Sequence, residues 1–223
     1  MPERLRPRRL RGDDGFTLVE MITVMIVFSV VLGLVFPAVV LVQRKVSDLD
    51  ATASSVAEVR IALQNMDRQA RSGNVLYSPA AETTTGCTGN AAQNAGTCMR
   101  IFTQANGLQK CVQWQVIPDA AGSATSTLRT RSWEQDWVTS PVGAVSGWQV
   151  VARGLVTPGS DGTPRYPFVL QGAGTPYQAR LLDVRLEATD KRRRAPTVLT
   201  SSLSGRNTNY GYDPGVCSPV PPA

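Results

Sequence analysis

The chain has 223 residues, enough for one core of ordinary domain size, and its formal charge of +6 is carried by 23 Lys and Arg against 17 Asp and Glu. It contains no histidine, which removes the commonest general base, the Ser-His and Cys-His nucleophile pairs and most zinc sites. The expectation is therefore a protein that is not an enzyme, with no cofactor, no metal site and no small-molecule substrate; the modest basic excess gives no support for nucleic-acid binding.

Residues 1–15 set Arg4, Arg6, Arg8, Arg9 and Arg11 against Glu3, Asp13 and Asp14. Residues 16–42 then carry a single charge, Glu20, and Gln43, Arg44 and Lys45 close the apolar run. As a helix this run measures about 40 Å, more than the ~30 Å hydrocarbon thickness of a bilayer. The arginines before it place residues 1–15 in the cytoplasm and the chain beyond about Gln43 outside. A secretory signal would have an apolar region of about 7 to 15 residues ending at a small-x-small site. Here the run is longer, and Phe36-Pro37-Ala38 fits such a site poorly. An acidic residue at the centre of a spanning helix costs about 2.5 to 3.5 kcal/mol, so Glu20 calls for a partner.

The string Gly15-Phe16-Thr17-Leu18-Val19-Glu20, after a basic leader and before an unbroken apolar helix, resembles the processing signal of type IV pilins and of the pseudopilins of type II secretion and DNA-uptake machines. The resemblance implies that a prepilin peptidase cuts between Gly15 and Phe16 and methylates the new amino terminus at Phe16. It also implies partners: other pilin or pseudopilin subunits, reached through the N-terminal helix after a single-pass membrane stage, and placement in a pilus or pseudopilus at the cell surface. Many members carry a basic residue directly before the glycine, where this chain has Asp13 and Asp14. Within that picture the α-ammonium of Phe16 in one subunit meets the Glu20 carboxylate of its neighbour in a low-dielectric core, an assembly salt bridge that offsets part of the burial cost of both charges. Gly33 and Pro37 weaken the helical hydrogen-bond ladder, so a kink or a melted turn is expected there.

After Arg44 the apolar residues Leu49, Ala53, Val56, Val59, Leu63, Met66 and Ala70 recur at three- and four-residue steps, with Arg60, Asp67, Arg68 and Arg71 off the stripe. One long helix is expected from residue 16 to about 72, with Gly73-Asn74 as its stop. The expected organisation is a leader at 1–15, a hydrophobic helix at 16–43, an amphipathic helix at 44–75 and an exported β-rich head at 76–223.

Residues 78–97 are small and polar and read as a loop without a core of its own. Residues 99–103 and 108–117 read as strands joined at Asn106-Gly107, with Leu108, Val112, Trp114 and Val116 on one face and Gln109, Cys111, Gln113 and Gln115 on the other. A turn centred there pairs positions whose numbers sum to 213, placing Cys98 opposite Gln115 and Cys111 opposite Phe102. The four cysteines show no CxxC, and their even number in an exported domain points to disulfides. That register excludes Cys98 with Cys111, so elimination favours Cys87 with Cys98 and Cys111 with Cys217, without fixing the connectivity.

Further strands are expected at 126–133, 148–153, 179–188 and 197–203, separated by Gly/Pro-rich connectors. The fold class is thus α+β, a long N-terminal helix on an antiparallel sheet, type IV pilin-like. The ending TVLTSSLSGRN is similar to the close of many large minor pilins and pseudopilins. Lys191, Arg192, Arg193 and Arg194 read as a solvated turn in preference to a phosphate contact, and Trp114, Trp133, Trp137 and Trp148 as sheet residues. The closing PPA reads as an unstructured tail. The function these features imply is a minor pilin or pseudopilin; the rival is an uncleaved, signal-anchored surface binding module.

Overall fold

The structure is a computed structural model that describes residues 15–160, 162, 163, 165–171, 181–189, 196–205, 213 and 215–222. The chain divides into two compact units, Met1–Ser47 and Asp48–Ala223. Helix α1, Leu18–Arg71, supplies the described α-helical residues of both.

In the first unit, residues 18–42 of α1 are, Glu20 apart, apolar around the circumference and exposed almost throughout, for example Phe28 at 60% and Leu34 at 72%. Among the described residues nothing covers them. Val, Ile and Thr are only middling helix formers in water, but in an apolar medium the helix is the form that satisfies every backbone group within the segment. The hydroxyls follow the same rule: Thr23 Oγ1 donates to the Val19 and Glu20 carbonyls at 3.1 and 2.9 Å, and Ser29 Oγ to the Met25 carbonyl at 2.7 Å.

In the second unit, α1 packs on an antiparallel sheet of ten strands: β1 (Gly73–Leu76), β2 (Gly89–Asn90), β3 (Ala95–Gly96), β4 (Cys98–Thr103), β5 (Lys110–Pro118), β6 (Thr125–Trp133), β7 (Gln149–Val156), β8 (Phe168–Leu170), β9 (Leu181–Ala188) and β10 (Thr197–Ser204). Neighbours run β1-β4-β5-β6-β7-β9-β8-β3-β2, with β10 on β9. The α+β class is as the sequence implied.

The buried ridge of α1 is Val59, Ala62, Met66 and Ala70, with Val56 and Leu63 packed beside it. Leu49 and Ala53 belonged to the expected stripe, yet both are exposed. The helix meets the sheet from about Val56, and Glu58 accepts the Arg153 N–H of β7 at 3.0 Å; Leu49 and Ala53 lie before that contact. Ala62 was absent from that stripe; its small side chain lies at the contact. Above the helix sit Met99, Ile101, Val112, Trp114, Val116, Leu128, Leu155, Leu182, Val184 and Leu186. The Trp114 indole N–H donates to Gln69 Oε1 at 2.8 Å, satisfying its polar end within the core.

The helix stops where Ser72 folds back, its Oγ donating to the Arg68 carbonyl at 2.8 Å. A Cβ at Gly73 would stand 2.9 Å from the Ala70 carbonyl oxygen, so this abrupt exit into β1 requires glycine. Strand β1 therefore begins at the Gly73-Asn74 stop that the sequence placed at the end of the helix.

The β4–β5 register pairs Cys98 with Gln115 and Phe102 with Cys111, as the hairpin arithmetic required. The connection is longer than a two-residue turn: Ala105–Gly107 form a 3-10 turn with Gly107 at φ +78°, and Leu108 is 71% exposed rather than on the strand's apolar face. Residues 78–97 are also more ordered than a loop. Strand β3 pairs with β8, and Asn94 ties in alongside, its Nδ2 donating to the Leu170 carbonyl at 2.8 Å.

Candidate functional site

Gly15, Phe16 and Thr17 precede α1 without helical structure, and Phe16 is 78% exposed. Nothing lies within 4 Å of the place a Cβ would take at Gly15, so the described fold itself makes no demand for glycine there. The helix is started by Thr17. Its Oγ1 and its carbonyl accept the Glu20 N–H at 3.3 and 3.1 Å, the arrangement of an N-cap residue with the third helical position. Thr17-Leu18-Val19-Glu20 has the spacing of a capping box, a signal for this role that the reading of Glu20 as an assembly residue passed over. Glu20 lies exposed in the first turn, where the helix dipole favours a negative charge, and among the described residues no cation pairs with it.

Helix α1 is continuous through Gly33 and Pro37, so the melted turn expected there is not formed. Pro37 has no N–H for the Gly33 carbonyl, one turn back, so the local weakening persists in the hydrogen-bond ladder. Lys191, Arg192, Arg193 and Arg194 lie outside the described residues, as do residues 1–14. Among the described residues no three His, Cys, Asp or Glu side chains come together as metal ligands.

The cysteines form Cys87–Cys98 and Cys111–Cys217, with Cα separations of 5.5 and 5.7 Å. They frame a buried polar layer on the sheet face opposite α1. Glu82 accepts from Arg100 Nε at 3.1 Å and from Gln113 Nε2 at 2.8 Å. Arg131 Nε donates to Gln113 Oε1 at 3.0 Å, and Arg129 Nε to Gln115 Oε1 at 2.8 Å. Arg100 stacks on Tyr77 at 4.1 Å, while Arg129 and Arg131 both stack on Trp148, at 4.3 and 4.5 Å. Burial pushes the Glu82 carboxyl above its usual range, against the opposing pull of Arg100. It also lowers the Arg131 guanidinium to about 10, helped by the charge of Arg129.

Segment 215–222 covers this layer. Arg100 Nη1 donates to the Cys217 carbonyl at 2.9 Å, and Arg131 Nη2 and Nη1 donate to the carbonyls of Pro221 and Pro222, both at 2.7 Å. The closing prolines are therefore docked, with Pro221 buried, where an unstructured tail was expected. Sequence reading missed them because proline-rich segments carry no hydrophobic period.

Residues 10–36 match the family model described as the prokaryotic N-terminal methylation motif. The chain is prepilin-like. The match covers the leader's end, Gly15, Phe16 and Glu20, and the first part of α1. In this prepilin-like chain, α1 is long and apolar enough to cross a membrane. Comparison with curated proteins and with solved structures gave no match.

Proposed function

We propose that the chain is a minor type IV pilin or a pseudopilin: a structural subunit without catalysis of its own, cut by a prepilin peptidase between Gly15 and Phe16, N-methylated at Phe16, and assembled through α1 into a pilus or pseudopilus. The observation that carries this reading is the methylation motif on a helix whose apolar surface no described residue covers. Covering it takes lipid before assembly and neighbouring helices after it. Since the described fold leaves open space at Gly15, the glycine answers to the peptidase rather than to folding. Residues 1–15 stay in the cytoplasm and the sheet unit is exported; two disulfides and no free cysteine accord with an oxidising compartment.

Glu20 then serves twice. In the precursor it stands in the first turn of α1, and in the assembly it pairs with the α-ammonium of a neighbour's Phe16. Loss of one partner of a buried pair costs about 3 to 5 kcal/mol. Glu20→Ala is expected to abolish incorporation into sheared filaments or pseudopili while membrane insertion and disulfide formation persist. Incorporation at the native level would remove the assembly role and favour the signal-anchored module.

A further inference from the structure

The groove that holds residues 218–222 presents donors to them. The Trp137 indole N–H donates to the Pro219 carbonyl at 2.9 Å, and Arg131 sets two guanidinium nitrogens on the successive carbonyls of Pro221 and Pro222, both at 2.7 Å. Pro219, Pro221 and Pro222 lack N–H groups, so this stretch offers mostly acceptors. Val220 packs against the apolar cluster of Phe102, Trp133, Cys111 and Cys217, with Trp137 and Val145 beside it. Fixed donors and aromatic walls facing an N–H-poor chain are elements by which proline-rich peptides are recognised. Arg131 is held from the sheet side by Gln113 Oε1 at 3.0 Å and by the face of Trp148 at 4.5 Å, so its guanidinium has supports other than the segment it holds.

We propose that this face is a receptor for a proline-rich segment of a partner protein, occupied in cis by residues 218–222. The Cys111–Cys217 disulfide anchors the chain immediately before the occupant, so these residues can leave while the rest of segment 215–222 stays fixed. Ser218 and Pro219 are already exposed. A partner segment competes with an occupant whose effective concentration, on so short a tether, is of order millimolar. It therefore reproduces the carbonyl spacing of Pro-x-Pro-Pro.

The test uses the full-length chain in detergent micelles with both disulfides formed, titrated with a fluorescent peptide SPVPPA. A variant lacking residues 218–223 is expected to bind it saturably and at least tenfold more tightly than the intact chain. Adding Arg131→Lys to that variant removes the planar fork and is expected to weaken binding at least tenfold, as is restoring N–H groups in a peptide SAVAAA. If the shortened chain keeps both disulfides and its near-ultraviolet dichroism yet binds nothing at millimolar peptide, or binds SAVAAA equally well, the proposal fails. Should the shortened chain not fold, the intact chain decides: millimolar SPVPPA is expected to shift the Trp137 indole N–H resonance and leave that of Trp114 in place, and no shift overturns the receptor. A concentration-dependent dimer of the intact chain that exchanges residues 218–222 would make the occupant a second copy and overturn the partner assignment.

Discussion

Glu82→Ala removes the carboxylate against which Arg100 is buried. The two side chains are 0% and 9% exposed and meet at 3.1 Å, and Gln113 donates to the other carboxylate oxygen at 2.8 Å. With the carboxylate gone, a buried guanidinium is left to the Cys217 carbonyl and the face of Tyr77, a loss of about 3 to 5 kcal/mol. A unit spanning residues 48–223 unfolds with an entropy of about 0.37 kcal/mol/K, so Tm is expected to fall by roughly 8 to 14 °C. Glu82→Gln keeps the acceptor and the shape and is expected to cost about half as much. The pH dependence has a definite sign. Burial raises the Glu82 carboxyl above its ordinary value of 4.5, so the folded chain holds a proton that the unfolded chain has released. The contribution of Glu82 to stability is thus full below that ordinary value and is lost as pH rises through the raised folded value. Urea midpoints of the intact protein from pH 4 to 8 should show this decline, and Glu82→Gln should remove its share of the slope. A Tm change under about 3 °C for Glu82→Ala, with both disulfides formed, would refute the reasoning.

The two disulfides differ in leverage, since in the chain-entropy picture the 106-residue separation of Cys111–Cys217 contributes about 4.7 kcal/mol and the 11-residue separation of Cys87–Cys98 about 2.8 kcal/mol. Paired serine substitutions, compared by urea denaturation, should rank in that order. Met66→Ala is expected to cost about 2 to 5 kcal/mol because its side chain is fully buried, whereas Leu49→Ala, 66% exposed, should stay within about 0.5 kcal/mol in the isolated chain. Thr17→Val removes the N-cap, worth about 1 kcal/mol, so hydrogen exchange at the Glu20 N–H in micelles should quicken roughly fivefold while Thr17→Ser leaves it unchanged.

The parts of the fold with a local period were readable in advance. The 3.6-residue recurrence marked the packed face of α1 from Val56 onward, and alternation marked β9, where Leu182, Val184 and Leu186 point to the core. The β4–β5 register followed from the centre of the turn alone, and it excluded a Cys98–Cys111 bridge without fixing the pairing that the structure forms. The failures share a cause. Gln113 and Gln115 alternate with apolar residues on the face opposite Val112 and Trp114, with no sign in the sequence that both are 0% exposed. What covers them is residues 82–87 and 215–222, which have no period, so burial there is set by long-range contacts that no window of sequence displays. Strands β2, β3 and β8 are too short to carry a pattern. At the N-terminus the motif lies in consecutive residues, and Gly15, Phe16 and Glu20 were legible for that reason; Thr17 was not singled out because its work is done by one hydroxyl within the same string.

The central claim is tested most directly at the N-terminus of the protein recovered from the membrane fraction, by intact mass and peptide mass spectrometry. The account predicts a chain that begins at Phe16 and carries one additional methyl group. A chain that begins at Met1, or one cut after Ala38, would contradict it.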